Sequence, residues 1–358
     1  PLFGDLTHVQ VPGTGKSTAK MTFISGTLNA PLPGGFTLDS ITGYGVNDHE
    51  FMRDNTGFGG GAALASFRVR GAIYNPQAFR TEKFTQELRL SSDPDRRLSG
   101  LVGAYYTREE SDVQYVGEAR DANTGAYAGT YLLQVGDTDF DEYAVFGSLT
   151  WQITDRLDLE GGARWSKNQQ DYQEEATGIS VTGGRRIALA SVEDDAATYS
   201  IGPRFKISPD QMIYARLATG YRVGGPNVGV ASGVPASFAP DETVNFELGS
   251  KGTFFDRTLT YDVSVFDVEW KDLQITETIT VNGVVNAYVG NRGKARSRGL
   301  EYAFNWRAPL PGLRISTTGM VGETELKDSL TQLGSGGFAL KGDPLVNSPE
   351  FTGTLGLD

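Results

Sequence analysis

The chain has 358 residues, a net charge of −12 and no cysteine. That excludes disulfide scaffolds, thiolate metal sites and thiol catalysis, and an acidic chain without a basic block is a poor nucleic-acid binder. Glycine, at 46 residues, lies well above its usual ~7% share. No window of 18 uncharged apolar residues marks a membrane-spanning helix, and no signal peptide can be read from Pro1 onward.

The first motif met is VPGTGKSTAK, Val11 to Lys20. Gly15-Lys16-Ser17-Thr18 looks like the end of a phosphate-binding loop. The glycine required five places before Gly15 is replaced by Gln10. The next residues, Lys20 to Leu28, alternate like a strand. A loop-to-strand junction is therefore expected, and an NTPase is only a remote alternative.

From there period-2 alternation dominates. The clearest run sets Tyr143, Val145, Gly147, Leu149, Trp151 and Ile153 against Glu142, Ala144, Phe146, Ser148, Thr150 and Gln152. Similar runs occur at Phe84–Leu90, Leu157–Trp165, Tyr199–Ile207, Val244–Leu248 and Leu300–Trp306. Leu259 to Trp270 changes phase near Val265, which predicts a bulge. About thirteen strands of ~9–11 residues are expected, each long enough to cross a bilayer at ~45° tilt.

Short turns with Gly, Pro, Asp or Asn chemistry fall near Leu32, Pro94, Asp155, Pro209, Asp256 and Pro309. Between them lie connections of about 20–35 residues, at 47–82, 109–141, 167–198, 222–242, 273–297 and 323–350. Loops this long are uncommon in compact soluble domains. Their alternation with tight turns predicts an all-β, antiparallel transmembrane β-barrel with short periplasmic turns and long extracellular loops. In lipid every backbone N–H and C=O needs an internal partner, and a closed sheet supplies one. Tyr105, Tyr143, Trp151, Trp165, Tyr199, Tyr221, Tyr302 and Trp306 are candidates for the interfacial aromatic girdles.

Five stretches, taken in order, resemble TonB-dependent outer-membrane receptors. FTLDSITGYG (36–45) and TQELRLSS (85–92) resemble early barrel strands of that family. ATGYRVGGPN (218–227) followed by FAPDETVNFELGSK (238–251) resembles its GYRPGG…NYELGLK stretch. VFDVEWKDLQI (265–275) and NRGKARSRGLEYAF (291–304) resemble its FYxDWxDLQ and NAGKAxSxGxE segments. The resemblance implies a 22-stranded barrel around a plug. It also implies import of a scarce ligand, most simply a ferric siderophore, powered through a TonB-ExbB-ExbD complex. It places the protein in the outer membrane of a Gram-negative cell. No plug-like region, TonB box or C-terminal aromatic is found. Residues 1–358 are accordingly expected to be a partial barrel, about 13 of 22 strands, with plug, signal peptide and C-terminal strands outside the chain. Outer-membrane lipid is an expected partner; nucleic acid is not.

Candidate site residues fall into two groups. Glu87, Arg89, Glu160, Arg164, Arg204, Lys206, Arg216, Glu247, Lys251 and Glu301 lie on the polar faces of the strands. They are expected to face the lumen, either paired laterally or lining a substrate path. Tyr221, Arg222, Asn227, Tyr127, Tyr131 and Tyr172 are loop candidates for ligand contact, because aromatic rings and Arg suit aromatic or anionic chelates. His8 and His49 are the only histidines and lack ligand spacing, so no metal site, cofactor or catalytic triad is expected. The acidic runs Glu109-Glu110-Ser111-Asp112 and Glu193-Asp194-Asp195 lack the D-x-D-x-D-G calcium loop and are expected in solvated external loops. A passive porin or adhesin barrel and a soluble secreted carbohydrate-binding β-protein remain alternatives.

Overall fold

The computed structural model describes residues 13–56, 64–68, 71–121, 124–179, 181, 183–227, 234–281, 284–333 and 337–358. The strands are β1 (Ser17–Leu32), β2 (Phe36–Asp54), β3 (Gly71–Ser92), β4 (Leu98–Asp121), β5 (Tyr127–Gln152), β6 (Leu157–Thr177), β7 (Arg185–Ser208), β8 (Gln211–Arg222), β9 (Gly225–Pro226), β10 (Ser237–Phe238), β11 (Asp241–Phe254), β12 (Leu259–Lys271), β13 (Gln274–Val281), β14 (Val284–Asn291), β15 (Lys294–Arg307), β16 (Arg314–Leu326), β17 (Leu330–Leu333), β18 (Gly337–Ala339) and β19 (Phe351–Leu357). Thirteen of them form one antiparallel sheet in the order β1 to β8, β11, β12, β15, β16, β19. No helix among the described residues is long and apolar enough to cross a membrane, which says nothing against crossing by strands.

The pairing register fixes the two faces, because residues directly opposite in an antiparallel pair point the same way. One row runs Leu88, Ala104, Val145, Trp165 and Ala197 across β3 to β7. A second row on the same face runs Leu248, Val265, Leu300, Val321 and Phe351 from β11 to β19. This face is apolar yet exposed: Val102 is 60%, Leu149 59% and Val145 56% accessible. A water-soluble sandwich would bury such a face; here lipid covers it.

All six short turns lie where expected, between paired strand ends at 33–35, 93–97, 153–156, 209–210, 255–258 and 308–313. The long connections need correction. Strand β5 has 26 residues, β4 and β7 have 24 each, and most of 109–141 and 167–198 is paired sheet. Hydrophobic alternation stops where lipid stops, but the hydrogen-bond ladder does not. Above the apolar band, charged and polar residues come onto both faces, with a few exposed apolar ones such as Val135, Ile187 and Leu189, and the strands simply continue into water. The two acidic runs are therefore strand residues, and alternation splits them. Glu109 and Glu110 point to opposite faces, to Lys83 and Arg108 respectively. Asp194 faces away from Glu193 and Asp195.

Three smaller expectations also change. Strand β12 pairs one-to-one with β11 and β15 over its whole length, so there is no bulge near Val265. The apparent phase change arises because Phe266 and Trp270 are apolar residues on the polar face; Phe266 lies against Gly299, where a Cβ would come within 3.0 Å of its ring. In this sheet, register shifts occur instead at Gly117/Glu118 and Ala119/Arg120 in β4 and at Lys206/Ser208 in β7. Among the girdle candidates, Tyr143, Trp151, Trp165 and Tyr199 stand exposed on the apolar face. Tyr105 faces the other way beneath Arg164, 5.1 Å from ring to guanidinium, and the Tyr221 hydroxyl is bonded within the polar wall to Ser166. The Gly15–Thr18 motif opens strand β1: Gly15 N–H donates to Met52 O at 2.8 Å, and Ser17 is the first β1 residue. No helix comes after it, so the geometry of a phosphate-binding loop is missing. His49 sits in β2 within 3.0 Å of Ser17 Oγ; His8 lies outside the described residues.

The smaller strands decorate the loop end. Strands β14, β13, β17 and β18 form a four-stranded sheet, and β9 pairs with β10. Leu273, Ala295, Leu326 and Leu330 make a buried cluster there, joined by Trp270 and Ile275. This local core holds the external hairpins on top of the wall.

Candidate functional site

The polar face carries a ladder of charges paired across and along strands. Arg89 pairs with Glu87, Arg164 with Glu142 at 2.5 Å, Arg204 with Glu160 at 3.0 Å, Lys206 with Asp158 at 3.5 Å and Lys251 with Asp262 at 3.6 Å. Glu247 accepts from the Tyr214 hydroxyl. Arg216 and Glu301, also on this face, have no hydrogen-bond or ion-pair partner among the described residues. Each of these pairs keeps a partly exposed cation, and such pairs add about 1 kcal/mol each. Their effect is to keep the wall wet and polar.

At the loop end the six candidate residues have separate surroundings. Arg222 closes an ion pair with Asp241, whose side chain is 2% exposed, and lies 5.3 Å over the Trp270 ring. The same carboxylate accepts from Gln274 N–H at 3.1 Å. The Gln274 amide then donates to Val223 O at 2.8 Å and Ala239 O at 3.1 Å. Asn291 grips the Ala239 backbone from both sides, at 2.7 and 2.8 Å. Asn227 does the same to Val289, donating at 2.8 Å and accepting at 2.7 Å. These bonds sew the segment between β8 and β11 onto the base of the β13–β14 hairpin. Asp241, Gln274 and Asn291 were missed by sequence reading. Their signal was present in the DETVNFELG, KDLQI and NRGK segments, but nothing there shows that the three meet.

Tyr221 points its hydroxyl to Ser166 and, at 3.4 Å, to Asn168. Tyr172 donates to Glu174 at 2.6 Å, and Glu174 is 2% exposed, held also by Gln134 and Arg186. Burial, and then that bond to Glu174, push the Tyr172 phenol above its ordinary range. In the external hairpin, a bond to Glu277 raises the Tyr288 phenol likewise, with Arg292 3.0 Å from the same carboxylate. Tyr131 borders the Ile73–Ala119 cluster with Phe67. Tyr127 is the most open of the six, 59% exposed and, among the described residues, hydrogen-bonded through its hydroxyl to Thr130 at 2.7 Å. Thus Arg222 and Asn227 tie down the segment between β8 and β11, Tyr221 reaches from β8 to β6, and Tyr127, Tyr131 and Tyr172 stand on the β5–β6 side. Among the described residues no three His, Cys, Asp or Glu side chains gather as metal ligands.

A sheet apolar outside, polar inside, turned tightly at one end and elaborated at the other is the wall of an antiparallel transmembrane barrel. The model of the TonB dependent receptor-like beta-barrel family matches residues 3–358, and the chain belongs to that family. Such barrels lie in the outer membrane of Gram-negative bacteria, and so does this wall. The pesticin receptor of Yersinia enterocolitica is 29% identical over 233 residues, 64% of this chain and 32% of that protein. The ferric yersiniabactin uptake receptor FyuA from Yersinia pestis superposes with a TM-score of 0.70 at 20% identity, over 95% of this chain and 46% of that one. The siderophore receptor PiuA from Acinetobacter baumannii gives 0.69 at 18% identity, over 95% and 52%. The chain therefore spans about a third of that curated relative and about half of those solved receptors.

Proposed function

We propose that this wall belongs to an active outer-membrane importer whose cargo is a ferric siderophore. The observation that carries the proposal is the family match over nearly the whole chain, with a pesticin receptor and a ferric yersiniabactin uptake receptor among the relatives. Residues 1–358 are read as part of a larger barrel, about 13 of 22 strands. A plug, a signal peptide and further strands lie elsewhere in the full-length protein. Both sheet edges, β1 and β19, lack a neighbour in the thirteen-stranded sheet, which fits a wall continued by other strands.

On this reading the protein performs no covalent step. Loop-end groups receive the chelate, with Tyr127, Tyr131 and Tyr172 on one side and Tyr221, Arg222 and Asn227 on the other. Asn227 acts mainly by holding its segment in place, because both its polar atoms are engaged; Arg222 holds Asp241 through Nε and Nη2 and keeps a solvated edge for the ligand. The polar ladder, with Arg216 and Glu301 free to bond, faces the plug and the passing ligand. Energy enters through the TonB-ExbB-ExbD complex acting on the region outside this chain.

Deletion of the gene in the source bacterium, followed by radio-iron uptake from individual ferric siderophores, tests the proposal. Uptake of at least one chelate falls to background and returns with the intact gene. Uptake that persists when TonB is removed would instead mark a passive barrel.

A further inference from the structure

The polar wall contains an arrangement that the transport reading leaves unused. Asn168 in β6 and Asp194 in β7 are direct cross-strand partners, which places their Cβ atoms about 4.5–5.5 Å apart. Both point away from the apolar row, whose neighbouring pair is Trp165 and Ala197. Asn168 is only 4% exposed, and its Oδ1 is buried with no hydrogen-bond donor. A buried amide oxygen left unpaired costs about 1–3 kcal/mol.

Asp194 adds a charge without a countercharge. Its close neighbour is Gly224, where a Cβ would come within 2.4 Å of the Asp194 Oδ2. The nearby cations are committed elsewhere: Lys167 to Glu193 on the opposite face, and Arg222 to Asp241. The rest of the neighbourhood is oxygen. Ser166, fully buried, and the Tyr221 hydroxyl touch each other, and Tyr221 is 3.4 Å from the Asn168 amide nitrogen. Gln170 Oε1 lies against Gly225, where a Cβ would come within 3.2 Å of it.

An uncompensated carboxylate, an orphaned buried amide oxygen and neutral oxygens around them, without nitrogen or sulfur donors, suit a hard cation. We infer that the wall at Asn168 and Asp194, roofed by the Gly224–Gly225 turn, binds a divalent hard cation of the Ca2+ or Mg2+ type. Water completes the shell, since protein oxygens supply only part of the six to eight that Ca2+ takes. The ion would also fasten the turn to the wall, because Gly224 packs directly against the same carboxylate.

Calorimetric titration of Ca2+ and of Mg2+ into the full-length protein, in chelator-washed detergent, tests this. At least one ion binds saturably, and Asp194→Asn weakens that binding tenfold or more. Glu193→Gln, on the other face, leaves it unchanged. If neither ion binds, or if Asp194→Asn binds as the parent does, the inference falls, and the Asn168 amide is simply turned to donate to Asp194. Should Asp194→Asn not refold, Asn168→Asp serves instead. A second carboxylate at the same seat raises Ca2+ affinity at least tenfold, and unchanged affinity overturns the inference.

Discussion

At the residue scale, facing decides cost. Val145 and Leu149 stand in the lipid-facing row, so Val145→Arg or Leu149→Arg should cost about 2–4 kcal/mol near the bilayer midplane. Arg164 lies on the other face, with Glu142 at 2.5 Å and the rings of Tyr105 and Phe146 beneath it. Arg164→Ala loses one half-exposed pair and some ring contact, about 1 kcal/mol. Refolding of the full-length protein into bilayers under urea titration measures both, and equal losses would show the faces exchanged. Arg222 presents a different case. Its removal strands the Asp241 carboxylate, which is 2% exposed. Arg222→Ala should cost on the order of 1–3 kcal/mol at the loop end, less than for a fully buried pair because half of Arg222 is solvated. Adding Asp241→Ala should restore part of that loss. The cycle is read by hydrogen exchange at Arg292, whose N–H bonds to Leu273 O at 2.9 Å and not to Asp241.

At the element scale, the sequence showed where strands turn better than how far they run. Glycine, proline and aspartate mark the six tight turns directly, because those bends need their backbone preferences. The loop-side ends carried no such signal. Asp137, Asp139 and Asp141 look like loop chemistry, yet all three are paired sheet residues of β5. The site was legible to a similar degree. Arg222 and Asn227 lie in the GYRVGGPN stretch, but their partners Asp241 and Val289 come 19 and 62 residues later. Only the fold brings them together. The Gly224–Gly225 turn is the most exacting part of that meeting. A Cβ at Gly224 would overlap both the Asp194 carboxylate and the Phe238 carbonyl. Gly224→Ala should therefore lift the segment off the wall while leaving the barrel folded. If the cargo is the ferric siderophore proposed above, the expected outcome is at least a tenfold loss of its affinity in the full-length protein with an unchanged far-ultraviolet spectrum. Retained affinity would show that the turn's seat does not matter to binding.

At the scale of the whole molecule, two open edges set the behaviour of this wall by itself. β1 is exposed along nearly its whole length, and it carries Met21, Phe23, Ile24 and Leu28 at 65–76% accessibility. Unpaired edge strands of this kind template further pairing. Purified in detergent, residues 1–358 should therefore form oligomers that the full-length protein does not. Light scattering behind a sizing column checks this, and a monodisperse monomer would contradict it. The long strands carry a further consequence. From Tyr143 to the start of β5 at Tyr127, the wall climbs about 37 Å beyond the aromatic girdle, taking ~3.3 Å per residue and ~45° tilt. A rigid parapet of that height would hold an epitope clear of the glycolipid forest around it. A tag spliced between β4 and β5 should be stained by antibody on intact cells, whereas one spliced beside Gly224 should dismantle the structure it was meant to report.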